Sequence, residues 1–189
     1  MIFVRDKGRM CNNILQYGHV YAWAREHGQR AISMRFAYKY RYFHICHTPW
    51  HNFFVYVLAK FAAKSGLLPV AGFHSSDENS EAMKLLENSK WLVVEGWEVR
   101  FYNLFLKYKH EIISLFTFDK SIATKTAAMM QANSRPTSIK LGIHVRRGDY
   151  KTWQGGKYYY SDEQYADVIQ RFASLHNDND VDVYICGNA

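Results

Sequence analysis

Ile2-Phe3-Val4, a polar turn over 5–10, and then Ile14, Leu15, Tyr17, Val20, Tyr21 and Ala24 at helical spacing form the stretch that decides the fold. The three apolar residues read as a short buried strand. Asn12 or Asn13 can cap the helix that follows, because an Asn side chain accepts a bond from an N–H left unpaired in the first turn. Gly28 is a natural helix stop, and 30–36 reads as a second strand. Strand, turn, helix and strand in this order are the unit from which parallel α/β sheets are built.

Further along, 53–64 reads as a helix stopped by Gly66. A polar loop over 74–81, carrying Asp77, Glu78 and Glu81, leads into a short helix over 82–86 and a strand over 91–94. Phe101, Leu104, Phe105, Tyr108, Ile112 and Leu115 predict one amphipathic helix over 101–116. Asp119 can cap another helix, running to about residue 132, before a linker punctuated by Pro136. A strand over 139–145, a loop over 146–160, a helix to about 175 opened by the capping box of Ser161 and Gln164, and a strand over 181–185 make a second β-loop-α-β unit. The expected organisation is an N-terminal α/β domain over 1–133, a linker over 134–138, and the start of a second domain over 139–189.

Composition narrows the class. The 189 residues are 48% hydrophobic and 22% charged, with 11 Gly and 3 Pro, which excludes a disordered or collagen-like polymer. No run approaches the roughly 20 apolar residues of a membrane span, and Ile2-Phe3-Val4 runs at once into Arg5 and Asp6, unlike a signal peptide. Three widely spaced cysteines, Cys11, Cys46 and Cys186, favour a reducing compartment, so a cytoplasmic location is expected. The net charge of +7 is uneven. Residues 1–64 hold ten Lys and Arg against two acids, and the remainder fourteen against fifteen. A basic N-terminal third points to an anionic partner: nucleic acid, a membrane surface, or a phosphorylated small molecule.

The segment richest in chemistry is His144-Val145-Arg146-Arg147-Gly148-Asp149-Tyr150. Two arginines stand at the carboxyl end of a predicted parallel strand, where open α/β sheets bind ligands. Strand alternation sends His144 and Arg146 to one face and Val145 to the other. Gly148 permits a sharp turn, and Asp149 can hold a guanidinium. Arginine suits a diphosphate because its fork donates two parallel bonds and stays charged; a surface salt bridge between Arg147 and Asp149 is the plainer reading. A second candidate, Gly8-Arg9-Met10-Cys11-Asn12-Asn13, opens a helix whose first N–H groups attract anions.

Other constellations carry less. His44, Cys46, His47 and His51 could suggest a metal, but Pro49 interrupts the helical spacing and no second cluster completes a ligand set, so no metal is expected. Basic and aromatic residues over 35–43 could contact nucleic acid, although no recognisable nucleic-acid-binding motif accompanies them. Tyr158-Tyr159-Tyr160 either cover a sugar face or pack the start of the following helix.

His144-Val145-Arg146-Arg147-Gly148-Asp149-Tyr150 resembles the signature segment of α-1,2-fucosyltransferases, and Gly8-Arg9-Met10-Cys11-Asn12-Asn13-Ile14-Leu15-Gln16-Tyr17 resembles their N-terminal segment, in the same order along the chain. Gly96-Trp97 and Val183-Tyr184-Ile185-Cys186-Gly187-Asn188 are similar more loosely. The resemblance implies two Rossmann-like halves of GT-B type, the second incomplete here, and transfer of L-fucose from GDP-fucose to a glycan hydroxyl with inversion. It implies no metal and no cofactor besides the donor. By carry-over, Arg146 contacts the donor diphosphate, Arg147 assists, Asp149 orients the arginines, and His144 lines the nucleotide site. Gly8, Arg9 and Asn12 bring the N-terminal loop to the donor cleft. Three positions depart from the family pattern: Cys11 stands for Gly, Asn13 for Gln, and Gly187-Asn188-Ala189 for Ser-Asp-Asp. The implied partners are a nucleotide sugar and a glycan acceptor, with peripheral association at the inner membrane surface compatible with the basic N-terminal third. A basic, non-enzymatic module for nucleic acid or polyanionic glycan is the alternative.

Overall fold

The computed structural model describes residues 1–6, 8–36, 41–74 and 79–188. The chain divides into two compact units, Met1–Ala123 and Thr124–Ala189. Asp77, Glu78, the middle of the 35–43 stretch and Ala189 lie outside the described residues.

The first unit is α/β. Strands β1 (Ile2–Val4), β2 (Ala31–Ser33), β3 (Val70–Gly72) and β4 (Leu92–Glu95) form one sheet in the order β2-β1-β4-β3, every pair parallel. Parallel neighbours need crossover connections, which here are helical and bury both faces. Strand alternation divides the core between the two faces. Ile2 and Val4 pack with Tyr17, Val20 and Trp23 of α1 (Met10–Glu26). Phe3, Ile32 and Val93 face Ala59 of α2 (Phe53–Lys64). Ala82 and Leu86 of α3 (Asn79–Asn88) close the α1 side.

α2 has the bounds expected from sequence: the Asn52 side chain accepts the Val55 N–H at 3.1 Å, and Gly66 follows with a positive φ. α1 begins earlier than expected. Arg9, not Asn12 or Asn13, is its N-cap, and Arg9 makes no side-chain capping bond. Asn13 is instead turned inward and buried, its Nδ2 3.5 Å from the Gly8 carbonyl. The helix ends as expected, with Gly28 at φ 63°; the Gly28 and Gln29 N–H groups return to the carbonyls of Arg25 and Ala24. β2 is shorter than the 30–36 reading because the chain turns at Met34 and Arg35. The expected helix over 101–116 is two, α4 (Tyr102–Lys107) and α5 (Lys109–Leu115), broken at Tyr108, whose hydroxyl donates to Glu26 at 2.8 Å. Apolar spacing runs through the break, so periodicity could not reveal it.

α6 (Lys120–Asn133) starts at Asp119, whose carboxylate accepts the Ser121 N–H at 2.9 Å. In the second unit, β5 (Ile139–Arg146) and β6 (Val181–Asn188) pair in parallel from Ile139 opposite Val181 to Arg146 opposite Asn188. α7 (Asp162–Ser174) connects them and carries the complete Ser161–Gln164 capping box. Arg135 and Ser138 clamp the Asp182 carboxylate, which their hydrogen bonds hold down to about pKa 2, the Ser138 bond being the larger cause. Ser138 is the sole buried side chain among the described residues of this unit. Seven α-helices occur among the described residues, and none is long and apolar enough to cross a membrane.

Candidate functional site

The carboxyl end of β5 carries the arginine loop. Two 3-10 turns, Gly148–Lys151 and Trp153–Gly156, fold it back toward α7. Arg147 is held by its surroundings: its Nη1 donates to the Tyr159 hydroxyl at 3.0 Å and the Tyr160 carbonyl at 2.9 Å, and its Nη2 pairs with Asp162 in the first turn of α7. Its side chain is 18% exposed. Three acceptors on two terminal nitrogens tie the guanidinium down, so Arg147 fixes the loop against the helix.

Arg146 is placed differently. Its guanidinium carbon lies 4.1 Å from the Tyr150 ring centroid, and its Nη2 is 3.5 Å from the Asp149 carboxylate. Its Nε is buried and has no hydrogen-bond partner among the described residues. An unsatisfied buried donor costs about 1–3 kcal/mol, a cost that a bound anion oxygen would remove. Tyr150 in turn stacks on Trp153, 5.3 Å between centroids. The loop therefore offers one arginine bound into the fold and one on an aromatic platform with donor capacity to spare.

His144 and Val145 alternate as expected. His144 lines a cavity of about 460 Å³ with Tyr160, Gln164, Tyr165 and Asp167, whereas Val145 and Arg147 line another with Ile169 and Ile185. The Cys186 thiol lies 3.7 Å from His144 Nδ1. Tyr159, Tyr160 and Asp162 were not expected as arginine partners. The tyrosine run was visible in the sequence, but its fold-back onto Arg147 depends on the intervening 3-10 turns.

In the first unit, Gly8 at φ 98° turns the chain from β1 into α1, with Arg9 and Asn12 exposed beside it. α1 has no acidic residue in its first turn and no side-chain cap, so its leading N–H groups keep their attraction for an anion. Asn13, only 1% exposed, leaves its Oδ1 without a partner among the described residues. Gly8, Arg9 and Asn12 thus lie together at one helix end, and His144, Arg146, Arg147 and Asp149 together in the other unit.

A polar cluster missed from sequence lies at the same carboxyl edge of the first sheet. Asp6, fully buried, accepts from the Ser33 hydroxyl at 3.4 Å, and the Ser33 N–H donates to His51 Nε2 at 3.0 Å. Thr48 gives its hydroxyl proton to the Ile45 carbonyl, so at 2.9 Å its oxygen accepts from His51 Nδ1. His51 is the neutral Nδ1–H tautomer, and burial lowers its pKa to about 4. Nearby, Arg5 Nε donates to Glu95 at 2.6 Å across the ends of β1 and β4. His47 is engaged with Asp119 at 2.9 Å and Cys46 with the Phe36 carbonyl at 3.2 Å, and among the described residues no three His, Cys, Asp or Glu converge as a metal site would require.

No family model matches the chain, and no solved structure does. Among curated proteins it is similar to the galactoside 2-alpha-L-fucosyltransferase Sec1 of Mus musculus, 27% identical over 169 residues, 82% of this chain. That alignment takes in 42% of the relative, so the chain spans less than half the length of the curated protein it matches.

Proposed function

We propose that the chain is part of an inverting, GT-B-type glycosyltransferase that moves L-fucose from GDP-fucose to a glycan hydroxyl. The observation that carries this reading is Arg146: a guanidinium on the Tyr150 ring at the carboxyl end of a parallel strand, with a buried Nε lacking an acceptor. The likeness to a fucosyltransferase and the two matching loops support the choice of donor.

In this reading the acceptor hydroxyl, its proton passing to water, attacks the anomeric carbon of fucose from the face opposite the diphosphate. The bond to the diphosphate oxygen breaks, and negative charge collects on the leaving phosphate. Arg146 donates to that oxygen as the charge grows. Asp149 and Tyr150 hold its guanidinium in place, and Arg147 keeps the loop folded through Tyr159 and Asp162. Removing a single donor of this kind costs about 10²–10³ in rate. His144 borders the nucleotide beside the 460 Å³ cavity, and Gly8, Arg9 and Asn12 contribute to anion binding through the start of α1. The donor supplies all the chemistry that a cofactor would otherwise bring.

The test is calorimetric titration of GDP and GDP-fucose into the full-length protein and its Arg146→Ala variant. Saturable binding by the intact protein, weakened at least tenfold in the variant, is the expected result. Equal affinity in both proteins would remove the role given to Arg146. Absence of binding by the intact protein would remove the reading, and steeply salt-dependent affinity for any polyanion would restore the basic module instead.

A further inference from the structure

α2 is apolar on both sides. Its inner face, through Ala59 and Val55, seals the sheet over Phe3, Ile32 and Val93. Its outer face repeats Phe54, Val57, Leu58 and Phe61 at helical spacing, and these are 79, 43, 68 and 67% exposed. A helix that is apolar all round belongs inside a protein or against lipid, and an unbroken exposed patch of this kind marks an interaction surface. Trp50 and Trp91, 47 and 55% exposed, border the apolar groove next to Leu58.

The charges beside the stripe favour an anionic occupant. Between His27 and Ser76 the sequence holds six Lys and Arg and no acidic residue. Lys60 and Lys64 flank the stripe and share a cleft of about 240 Å³ with Arg35 and Arg5, of which Arg5 is paired with Glu95. A second copy docking through this face would bring lysines against lysines. An anionic surface would meet them with opposite charge. Tryptophans at the border of an apolar patch, with cations on its flank, match the depth profile of a bilayer interface.

We propose that α2 docks this protein on a bilayer carrying anionic headgroups, with Phe54, Leu58 and Phe61 entering the interface and Lys60, Lys64 and Arg35 at the headgroups. The twelve residues of α2 reach about 18 Å, short of the ~30 Å needed to span. The helix therefore lies in the surface plane. This inference is independent of the transferase reading.

The experiment is co-sedimentation of the full chain with vesicles of phosphatidylcholine alone and with phosphatidylglycerol added, with intrinsic tryptophan fluorescence, to which Trp50 and Trp91 contribute two of five residues, as second readout. Binding to the anionic vesicles, with a blue shift, is expected. Phe54→Ser/Leu58→Ser/Phe61→Ser lowers partition more than tenfold. Lys60→Gln/Lys64→Gln lowers it about tenfold on anionic vesicles only. All five positions are solvent-facing, so circular dichroism melting should match the parent; Phe54→Ser alone, about fivefold weaker, serves if the triple variant melts early. The proposal is overturned if the chain ignores anionic vesicles, if the stripe variants bind as well as the parent, or if the parent is a dimer that these substitutions dissociate while vesicle binding is absent.

Discussion

The guanidinium of Arg146 sits 4.1 Å from the ring centroid of Tyr150, four residues along the chain. The ring supplies a cation–π platform without using any of the guanidinium's N–H donors. Tyr150→Leu keeps the apolar volume and removes that attraction, of about 0.5–1 kcal/mol. GDP affinity is expected to fall about two- to fivefold in that variant, against a larger loss in Arg146→Lys, which discards the planar fork. Titration calorimetry compares them; a Tyr150→Leu protein with parental affinity would show that the ring does not hold the arginine.

His51 and His19 make folding sensitive to acid. His51 accepts the Ser33 N–H and His19 accepts the Phe101 N–H at 3.0 Å, so both are held neutral. Burial lowers each to about pKa 4, with the Arg100 charge a further cause for His19. The unfolded chain binds protons at its ordinary histidine pKa, near 6.5, before the folded chain does. Stability is therefore full above about pH 6.5 and falls as pH drops toward 4, by up to about 3 kcal/mol per histidine. Urea melts from pH 7.5 to 4.5 should show this decline, and His51→Gln should flatten part of it.

Legibility in the sequence followed the range of the interactions involved. α2 and the box at Ser161 are set by neighbours within three residues, Asn52 with Val55 and Ser161 with Gln164, so local reading placed them. β3 was not recognised because three residues between Pro69 and Phe73 carry no period, and their pairing partner β4 lies about twenty residues on. On α1, Leu15 is 40% exposed whereas Asn13, Gln16 and His19 are buried. The inward face is thus partly polar: Asn13 and Gln16 donate to the nearby carbonyls of Gly8 and Asn12, and His19 accepts the N–H of the distant Phe101. At the candidate site the arginine pair and the tyrosine run were both visible. Which arginine the tyrosines hold was settled by turns at 148–151 and 153–156 that no periodicity announces.

Gly96 is irreplaceable on steric grounds. Its φ is 112°, and an added Cβ would stand 2.1 Å from the Phe73 carbonyl oxygen, which accepts the Glu98 N–H at 3.0 Å. Gly96→Ala must displace backbone and is expected to destabilise by about 3 kcal/mol or more. Gly28→Ala meets no atom within 4 Å and suffers only the positive φ, for a loss of about 1 kcal/mol. Parallel chemical denaturation curves would reveal the order, and equal losses would contradict it.

The Asn52 cap on α2 gives a smaller, separable effect. Asn52→Ala forfeits its bond to the Val55 N–H and is expected to lower stability by about 1 kcal/mol, with Asn52→Asp retaining it. Thermal melting of the three proteins measures the difference; an Asn52→Ala protein as stable as the parent would show that packing alone sets the helix start.

The strand order β2-β1-β4-β3 has a consequence for biogenesis. β1, the first of the four strands of this sheet to be made, occupies an interior position, with β4 as one of its two neighbours. Ile2 cannot meet Leu92 until some ninety residues have been made, on the order of ten seconds at ordinary translation speeds. Throughout that interval one hydrogen-bonding edge of an Ile-Phe-Val strand stays unpaired. Folding of this sheet is therefore paced by a long-range closure that pairs β1 with a strand made some ninety residues later.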